Sequence, residues 1–137
     1  MKTKTPALWF AGQWFRREAS SRVWALVVLY AGLIFYFSSL PGDSVPSPFS
    51  HADIVFHFLE YFPFGFLLAL AITRTFGRLG RRALLFFVFV IVLYALSDEI
   101  HQIFVPERTF SLFDLVFDCL GSAAGALSLL WLRSNHS

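Results

Sequence analysis

Cysteine and charged residues are scarce in this chain of 137 residues. The single cysteine, Cys119, excludes an internal disulfide and any metal site built from a cysteine cluster. Charged residues make up only 15% of the chain, well below the share usual in a soluble domain. The formal net charge of +2 is weakly basic, so the sequence gives no reason to expect a nucleic-acid partner.

Catalytic motifs of fixed spacing are also missing. The sequence contains no HExxH zinc motif, no glycine-rich phosphate loop and no nucleophile elbow with a Ser-His-Asp signature. No internal repeat is visible, and four short spans without repeat symmetry do not favour a solute transporter. No reaction or cofactor is therefore assigned by motif, and a site must be found from the placement of polar residues.

Apolar and aromatic residues fill the chain instead. Hydrophobic residues make up 57% and aromatic residues 19% of the sequence, with 18 phenylalanines and a mean hydropathy of +0.65. Four apolar runs are each long enough to cross a bilayer as a helix. They are Val23–Leu40, Ile54–Thr73, Ala83–Ile103 and Leu112–Leu132. The sequence therefore predicts an all-α integral membrane protein with a four-helix bundle.

The regions outside the spans are short. Residues 1–22 are basic and aromatic, which favours an amphipathic segment on the membrane surface; a frayed tail with anchoring side chains is the alternative. Pro41 and Gly42 are expected to end the first helix. We expect residues 23–133 to form the transmembrane domain and residues 134–137 to form a polar tail.

Positive charge is distributed unevenly between the loops. The N-terminal segment and the loop at 74–82 carry nearly all Lys and Arg, whereas the loops at 41–53 and 104–111 carry only Arg108. By the positive-inside rule, both termini are predicted to be cytoplasmic, an N-in/C-in topology. The two loops that are poor in arginine are then predicted to lie outside.

Polar residues occur at one level of three spans. Asp53, His57 and Glu60 lie at i, i+4 and i+7 and stay within an arc of ~60° on the second helix. At about 1.5 Å per residue, Glu60, Asp98 and Asp118 each lie roughly 10 Å below the outer surface. Ionisable groups within a bilayer are costly and tend to be functional. We therefore predict a shared polar pocket that opens to the outer leaflet.

The third and fourth helices extend this polar level. On the fourth helix, Gly121 and Gly125 continue the face of Asp114 and Asp118, and small residues four apart allow helices to pack closely. The third helix is predicted to share one face among Tyr94, Ser97, Asp98, His101 and Gln102, with Glu99 turned away from Asp98.

The candidate site residues fall into two sets. Those expected to form the polar or catalytic core are His57, Glu60, Asp98 and Asp118. Those expected to bind a ligand are Tyr61, Ser97, Glu99, Gln102, Arg108 and Asp114. A histidine among carboxylates suits general acid–base chemistry or a zinc or manganese ion, and the sequence does not decide between them.

Four of these polar residues also have simpler interpretations. Asp53 and Asp114 stand near helix starts and have the side chain of an N-cap. His101 is compatible with an interfacial histidine that has no task. Arg108 is compatible with an orientation anchor, although it is also the natural partner of an anionic headgroup.

Three segments carry a resemblance to the VanZ-like family. They begin at Asp53, Ser97 and Ser111 and contain the pieces H-F-x-x-Y, S-D-E-x-x-Q, P-x-R and D-x-x-x-[ND]-x-x-G in order. Two positions depart from the pattern, since Ile54 stands where the family commonly has Lys and Glu107 where it commonly has Gly. The motif maps onto His57, Tyr61, Ser97, Asp98, Glu99, Gln102, Arg108, Asp114, Asp118 and Gly121.

The resemblance implies a small multi-pass protein of the bacterial inner (cytoplasmic) membrane, with an outward-facing role near lipid-linked precursors. The family's namesake is similar to an accessory determinant of teicoplanin resistance, which implies a link with glycopeptide susceptibility. The leading interpretation is binding or modification of an envelope lipid or lipid-linked precursor. The alternatives are a membrane-embedded acid–base or metal-dependent enzyme that acts on a lipid headgroup, and a structural or assembly protein. The oligomeric state stays open.

Overall fold

The computed structural model describes residues 6–45 and 51–135, with side chains from residue 20 onward. All long elements within these residues are helical, which confirms the predicted all-α fold. They are α1 (Pro6–Ser38), α2 (Ala52–Phe76), α3 (Arg81–Gln102) and α4 (Leu112–Ser134), with one short 3-10 turn at Gly42–Ser44.

Four helices are long and apolar enough to cross a membrane. In α1 the apolar part is Ser20–Ser38, whereas α2, α3 and α4 qualify over their whole length. Large apolar side chains on their outer faces are exposed, for example Leu29 at 70%. Such a belt is stable only against lipid, so the chain is a multi-pass membrane protein. The N-in/C-in orientation stays a prediction.

The helix ends follow from the breaking residues in the sequence. α1 ends at Ser38, shortly before Pro41, as predicted. Gly77 follows α2 with a left-handed φ of 81°, a conformation that glycine adopts without steric cost. α1 begins at Pro6 and continues without a break past Arg22. Side chains before residue 20 lie outside the described residues, so the surface position of residues 1–22 and the division into three regions stay predictions.

α2 is the central helix, and it packs most closely on α4. Its fully buried side chains, including Tyr61, Leu68 and Ile72, follow the spacing of one helix face. The two backbones touch at three glycines, because a Cβ atom there would overlap the neighbouring main chain. The pairs are Gly65 with Ser122, Gly121 with Phe58 and Gly125 with Phe62. The close packing predicted for the fourth helix is confirmed.

The helices alternate in direction, so the bundle has two distinct ends. At one end, the Trp24 indole and the Ser20 hydroxyl both lie within hydrogen-bonding distance of the Thr75 hydroxyl. At the other, the last turns of α1 and α3 meet the first turns of α2 and α4. We call this second end the polar end, since the buried ionisable residues collect there.

Candidate functional site

Five ionisable side chains converge at the polar end between α2, α3 and α4. We call them the buried cluster; none is more than 6% exposed. The possible ligand atoms of two groups within it lie within 4.8 Å of one another. The cluster consists of His57, Asp98, Glu99, Asp114 and Asp118; the two groups are His57–Glu99–Asp114 and His57–Asp98–Asp118. Of the residues expected at one level from helix periodicity and depth, His57, Asp98 and Asp118 therefore meet, whereas Glu60 lies outside the two groups.

His57 is held between two aspartates of α4. Its Nδ1 lies 2.9 Å from Oδ1 of Asp118, and because a carboxylate accepts, the ring donates its Nδ1–H. This bond fixes the ring orientation and leaves Nε2 directed towards Asp114, whose Oδ2 lies 3.9 Å away. The three residues fit together because Asp114 and Asp118 lie one helical turn apart on α4.

The buried face of α3 differs from the predicted one. Glu99 is fully buried, and its Oε2 accepts a hydrogen bond of 2.7 Å from the Ser111 amide at the start of α4. Ser97 is exposed, and its hydroxyl donates to the Tyr94 carbonyl of its own helix. The expectation that Ser97 shares a face with Asp98 is wrong, because the inward face runs through Asp98, Glu99 and the next turn.

Neither Asp53 nor Asp114 is a helix cap. The N-cap of α2 is His51, and that of α4 is Ser111, whose hydroxyl accepts the Asp114 amide at 3.2 Å. The capping interpretation of the two aspartates is therefore wrong. Asp53 is exposed in the first turn of α2, whereas the Asp114 carboxylate is buried and directed into the cluster.

An apolar groove of about 490 Å³ runs between α1 and α2. Apolar side chains of both helices wall it, among them Leu33 on α1 and Leu59 on α2, each partly exposed on the outer surface. The polar side chains of His57 and Glu60 also line the groove. It thus combines apolar walls that reach the outer surface with polar groups next to the buried cluster.

A second cavity of about 390 Å³ adjoins the groove, and we call it the polar mouth. Its lining includes Asp114 from the buried cluster and the exposed residues His51 and Glu107. The groove and the mouth lie side by side, since they share Val45, Asp53, Gln102 and Arg108 as lining residues.

The turn before α4 is fastened to the end of α1. The Gly42 amide donates to the Pro106 carbonyl at 3.0 Å, and the Arg108 Nε donates to the Leu40 carbonyl at 3.3 Å. Between them, Glu107 has a left-handed φ of 57°. Glycine, which the resemblance to VanZ-like sequences leads us to expect at this position, adopts such a φ without steric cost.

The predicted site residues therefore lie in two layers, one that forms the walls of the two cavities and one buried beneath those walls. Tyr61 is fully buried beside Asp98, in contact with the rings of Phe64 and Tyr94, and lines neither cavity. Ser97 lies outside both layers. The cavity walls contain His57, Glu60, Gln102, Arg108 and Asp114, and the layer beneath them contains Asp98, Glu99 and Asp118. The roles assigned to these residues stay predictions.

A family profile described as VanZ/LLP1 matches residues 23–133. The chain belongs to the VanZ/LLP1 family. The match includes the whole buried cluster, all of α2 and α3, and most of the membrane-spanning parts of α1 and α4. A search of curated proteins and a search of solved structures each return no match. Membership of the VanZ/LLP1 family thus agrees with the resemblance in the sequence and leaves the function to be inferred from the site.

Sequence reasoning missed the part that α1 plays in this VanZ/LLP1 protein. The Tyr30 hydroxyl donates to the Glu60 carbonyl at 3.1 Å, and Ser38 is buried beside Asp98. Both residues line the apolar groove. The available signal was a tyrosine and a serine within an otherwise apolar run, which is weak because isolated hydroxyls are common in membrane helices.

His101 has a structural contact rather than a place in the cluster. It is half-buried, its Nε2 lies 3.0 Å from the Ser39 hydroxyl, and its ring stacks on Phe35 with centroids 4.3 Å apart. These contacts connect the ends of α1 and α3 in the VanZ/LLP1 fold. His101 therefore matches neither the predicted shared polar face nor an unattached interfacial histidine.

Proposed function

We propose that this VanZ/LLP1 protein binds an envelope lipid that carries a phosphate and a sugar, as a lipid-linked cell-wall precursor does. The headgroup lies in the polar mouth and the hydrocarbon chain in the apolar groove. The observation that carries this proposal is the adjacency of the two cavities, which share four lining residues. An amphipathic ligand needs such a pair of surfaces side by side.

The groove supports the lipid part of the proposal. It is formed by membrane-spanning helices, and its walls at Leu33 and Leu59 reach the lipid-facing surface. A chain that enters sideways from the bilayer exchanges one apolar environment for another, so entry carries little desolvation cost. A chain in this groove would place the adjoining headgroup at Asp53, Gln102 and Arg108, which line both cavities.

The mouth supports a headgroup with both anionic and hydroxyl groups. Arg108 lines both cavities, and its guanidinium suits a phosphate because it donates two parallel hydrogen bonds. Asp53, Glu107 and Asp114 line the mouth as well. Carboxylates repel phosphate but accept hydrogen bonds from sugar hydroxyls, so their excess favours a glycosylated headgroup over a simple phospholipid.

The predicted topology indicates on which side of the membrane the lipid would bind. With both termini cytoplasmic, the polar mouth faces the outer leaflet of the bacterial inner membrane, where lipid-linked precursors are exposed. Binding there would change how accessible such a precursor is to teicoplanin. The proposed effect on glycopeptide susceptibility rests on this step.

Chemical modification of the same headgroup is the second candidate. It is favoured by the bond from His57 to Asp118, which holds the imidazole in one orientation with Nε2 directed away from its partner. An oriented imidazole is the usual general base of acid–base catalysis. In this version the lipid is a substrate, and the same cavities bind it.

Native mass spectrometry of the detergent-purified protein tests the binding proposal. Wild type is expected to retain an amphiphile whose mass contains phosphate and hexosamine. Arg108→Gln is expected to lose the amphiphile because it removes the headgroup contact, and Leu33→Trp because it fills the groove. The helical content measured by circular dichroism should be unchanged in both variants. Incubation with a purified polyprenyl-diphosphate disaccharide then separates binding from turnover, since only an enzyme releases a product of altered mass.

Two matched variants control this experiment. Arg78→Gln removes an exposed arginine at the opposite end of the bundle, and Leu29→Trp enlarges a lipid-facing residue of α1 outside the groove. Both should retain the amphiphile. If all four variants and wild type carry the same bound lipids, the proposal is wrong. If the mouth and groove variants unfold without any lipid having been bound to wild type, the structural or assembly alternative is favoured.

A further inference from the structure

We infer that the buried cluster is a binding site for one divalent metal ion of the manganese or zinc class. The ligands are Nε2 of His57 and the carboxylates of Glu99 and Asp114, and Asp118 orients the histidine. This site adjoins the surfaces assigned to the lipid, since His57 lines the groove and Asp114 lines the mouth. Metal binding is measured without lipid, so its test does not depend on that assignment.

The distances fit a shared ion better than direct bonds. His57 Nε2 and Asp114 Oδ2 are 3.9 Å apart, too far for a hydrogen bond. Two ligands at about 2.1 Å from one ion lie at most about 4.2 Å apart. Since the three possible ligand atoms lie within 4.8 Å of one another, small side-chain movements bring all three to an ion between them.

Unsatisfied oxygens point into the same region. Within the described residues, Glu99 Oε1, Asp114 Oδ1 and Asp118 Oδ2 are buried and have no hydrogen-bond partner. Glu99 and Asp118 are completely buried. A buried acceptor without a partner is costly, and in a membrane protein lipid offers it none. A cation bound by Glu99 and Asp114 would give these two carboxylates the partner that they lack.

The charge balance favours a cation as well. Five carboxyl groups lie in or next to the buried cluster, namely Glu60 and the four acids of the cluster itself. Among the described residues of the cluster and the two cavities, the basic side chains are His51, His57 and Arg108. Buried charges of one sign are stable only when they are paired or bound to a metal. A divalent ion would neutralise two of the carboxylates where they are most deeply buried.

The histidine bond selects one of the two possible ligand groups. Because Nδ1 of His57 is engaged by Asp118, Nε2 is the nitrogen available to an ion, and it is directed towards Asp114. A carboxylate that accepts from the other ring nitrogen is the usual outer partner of a metal-bound histidine. Asp114 also lines the polar mouth, which gives an ion a path from solvent.

The donor set indicates the class of metal. Calcium and magnesium prefer sites made entirely of oxygen, whereas one imidazole with carboxylates suits manganese or zinc. An ion at this position would supply a Lewis acid or an activated water next to the headgroup. It would also occupy the nitrogen that the acid–base mechanism needs, so with an ion bound His57 would not serve as the base, and a water activated by the ion would supply the nucleophile instead.

The test measures metal binding by the full chain in detergent, purified without a histidine tag and treated with chelator. Mn²⁺ and Zn²⁺ are titrated separately, with stoichiometry by inductively coupled plasma mass spectrometry, affinity by calorimetry and Mn²⁺ coordination by electron paramagnetic resonance. We expect one ion per chain. Asp114→Asn and His57→Gln should abolish stoichiometric binding, and Asp118→Asn should weaken it by roughly 10- to 100-fold.

The controls change the same side-chain types outside the cluster. Asp53→Asn at the mouth and His101→Gln between α1 and α3 should leave affinity and stoichiometry unchanged. Because a cluster variant can fail to fold, the wild type is also tested alone: Mn²⁺ or Zn²⁺ should raise its melting temperature, and Mg²⁺ at equal concentration should not. Absence of stoichiometric uptake by wild type, or undiminished uptake by a folded Asp114→Asn, overturns the inference.

Discussion

The interfaces that α2 makes with α4 and with α1 are built in different ways. Against α4, three glycines bring the two main chains into contact, and a buried bond joins His57 to Asp118. Against α1, the contacts are made by side chains, and the apolar groove remains between the helices. The α4 side is therefore packed main chain against main chain, whereas the α1 side leaves space between side chains, and the proposed lipid site uses that space.

The largest expected effect comes from filling the contact between α2 and α4. A side chain at Gly125 would overlap the main chain at Phe62 and Phe66. Gly125→Ala should cost roughly 2–3 kcal/mol, and Gly125→Leu should prevent the folded protein from accumulating. Helicity during titration with sodium dodecyl sulfate measures the loss.

Gly32 on α1 provides the matched control, since no heavy atom lies within 4 Å of a Cβ built there. Gly32→Leu should fold as well as wild type. Equal losses at both glycines would mean that the two interfaces do not differ as described.

Removing the polar bond between α2 and α4 should destabilise the protein more than removing the polar bond between α2 and α1. Asp118→Ala leaves His57 buried without its partner and should cost about 3 kcal/mol. Tyr30→Phe removes the bond from α1 to the Glu60 carbonyl and should cost about 1 kcal/mol. The same denaturation measurement gives both values, and a result in which Tyr30→Phe is the more damaging would reverse our view of which interface is packed more closely.

The smallest expected effect is a gain in stability at Glu107, in the turn that is hydrogen-bonded to the end of α1. Glu107 is exposed and has a left-handed φ of 57°, which asparagine adopts more readily. Glu107→Asn should stabilise the protein by about 0.5–1 kcal/mol. Glu107→Gln removes the charge but keeps the backbone penalty and should change the melting temperature little. A gain of equal size in both variants would assign the effect to charge.

Hydropathy and breaking residues were sufficient to predict the four helices, because lipid requires long apolar runs whatever the tertiary contacts. Helix periodicity and depth also predicted that His57, Asp98 and Asp118 would meet. The inward face of α3 was harder, since an error of one residue turns a side chain by about 100°; this is why Ser97 was placed inside. The contribution of Tyr30 and Ser38 depends on how α1 docks, which no local pattern records.

The position of the groove between α1 and α2 also determines which measure of ligand concentration governs its occupancy. A ligand that arrives along the plane of the bilayer meets the protein in two dimensions, and its relevant activity is its mole fraction among the surrounding lipids. Occupancy would then follow the ratio of ligand to bulk lipid and would be diluted by added detergent or phospholipid, even at constant molarity. Under the proposed function, binding of a scarce lipid-linked precursor would therefore depend on its amount per membrane area rather than per cell volume.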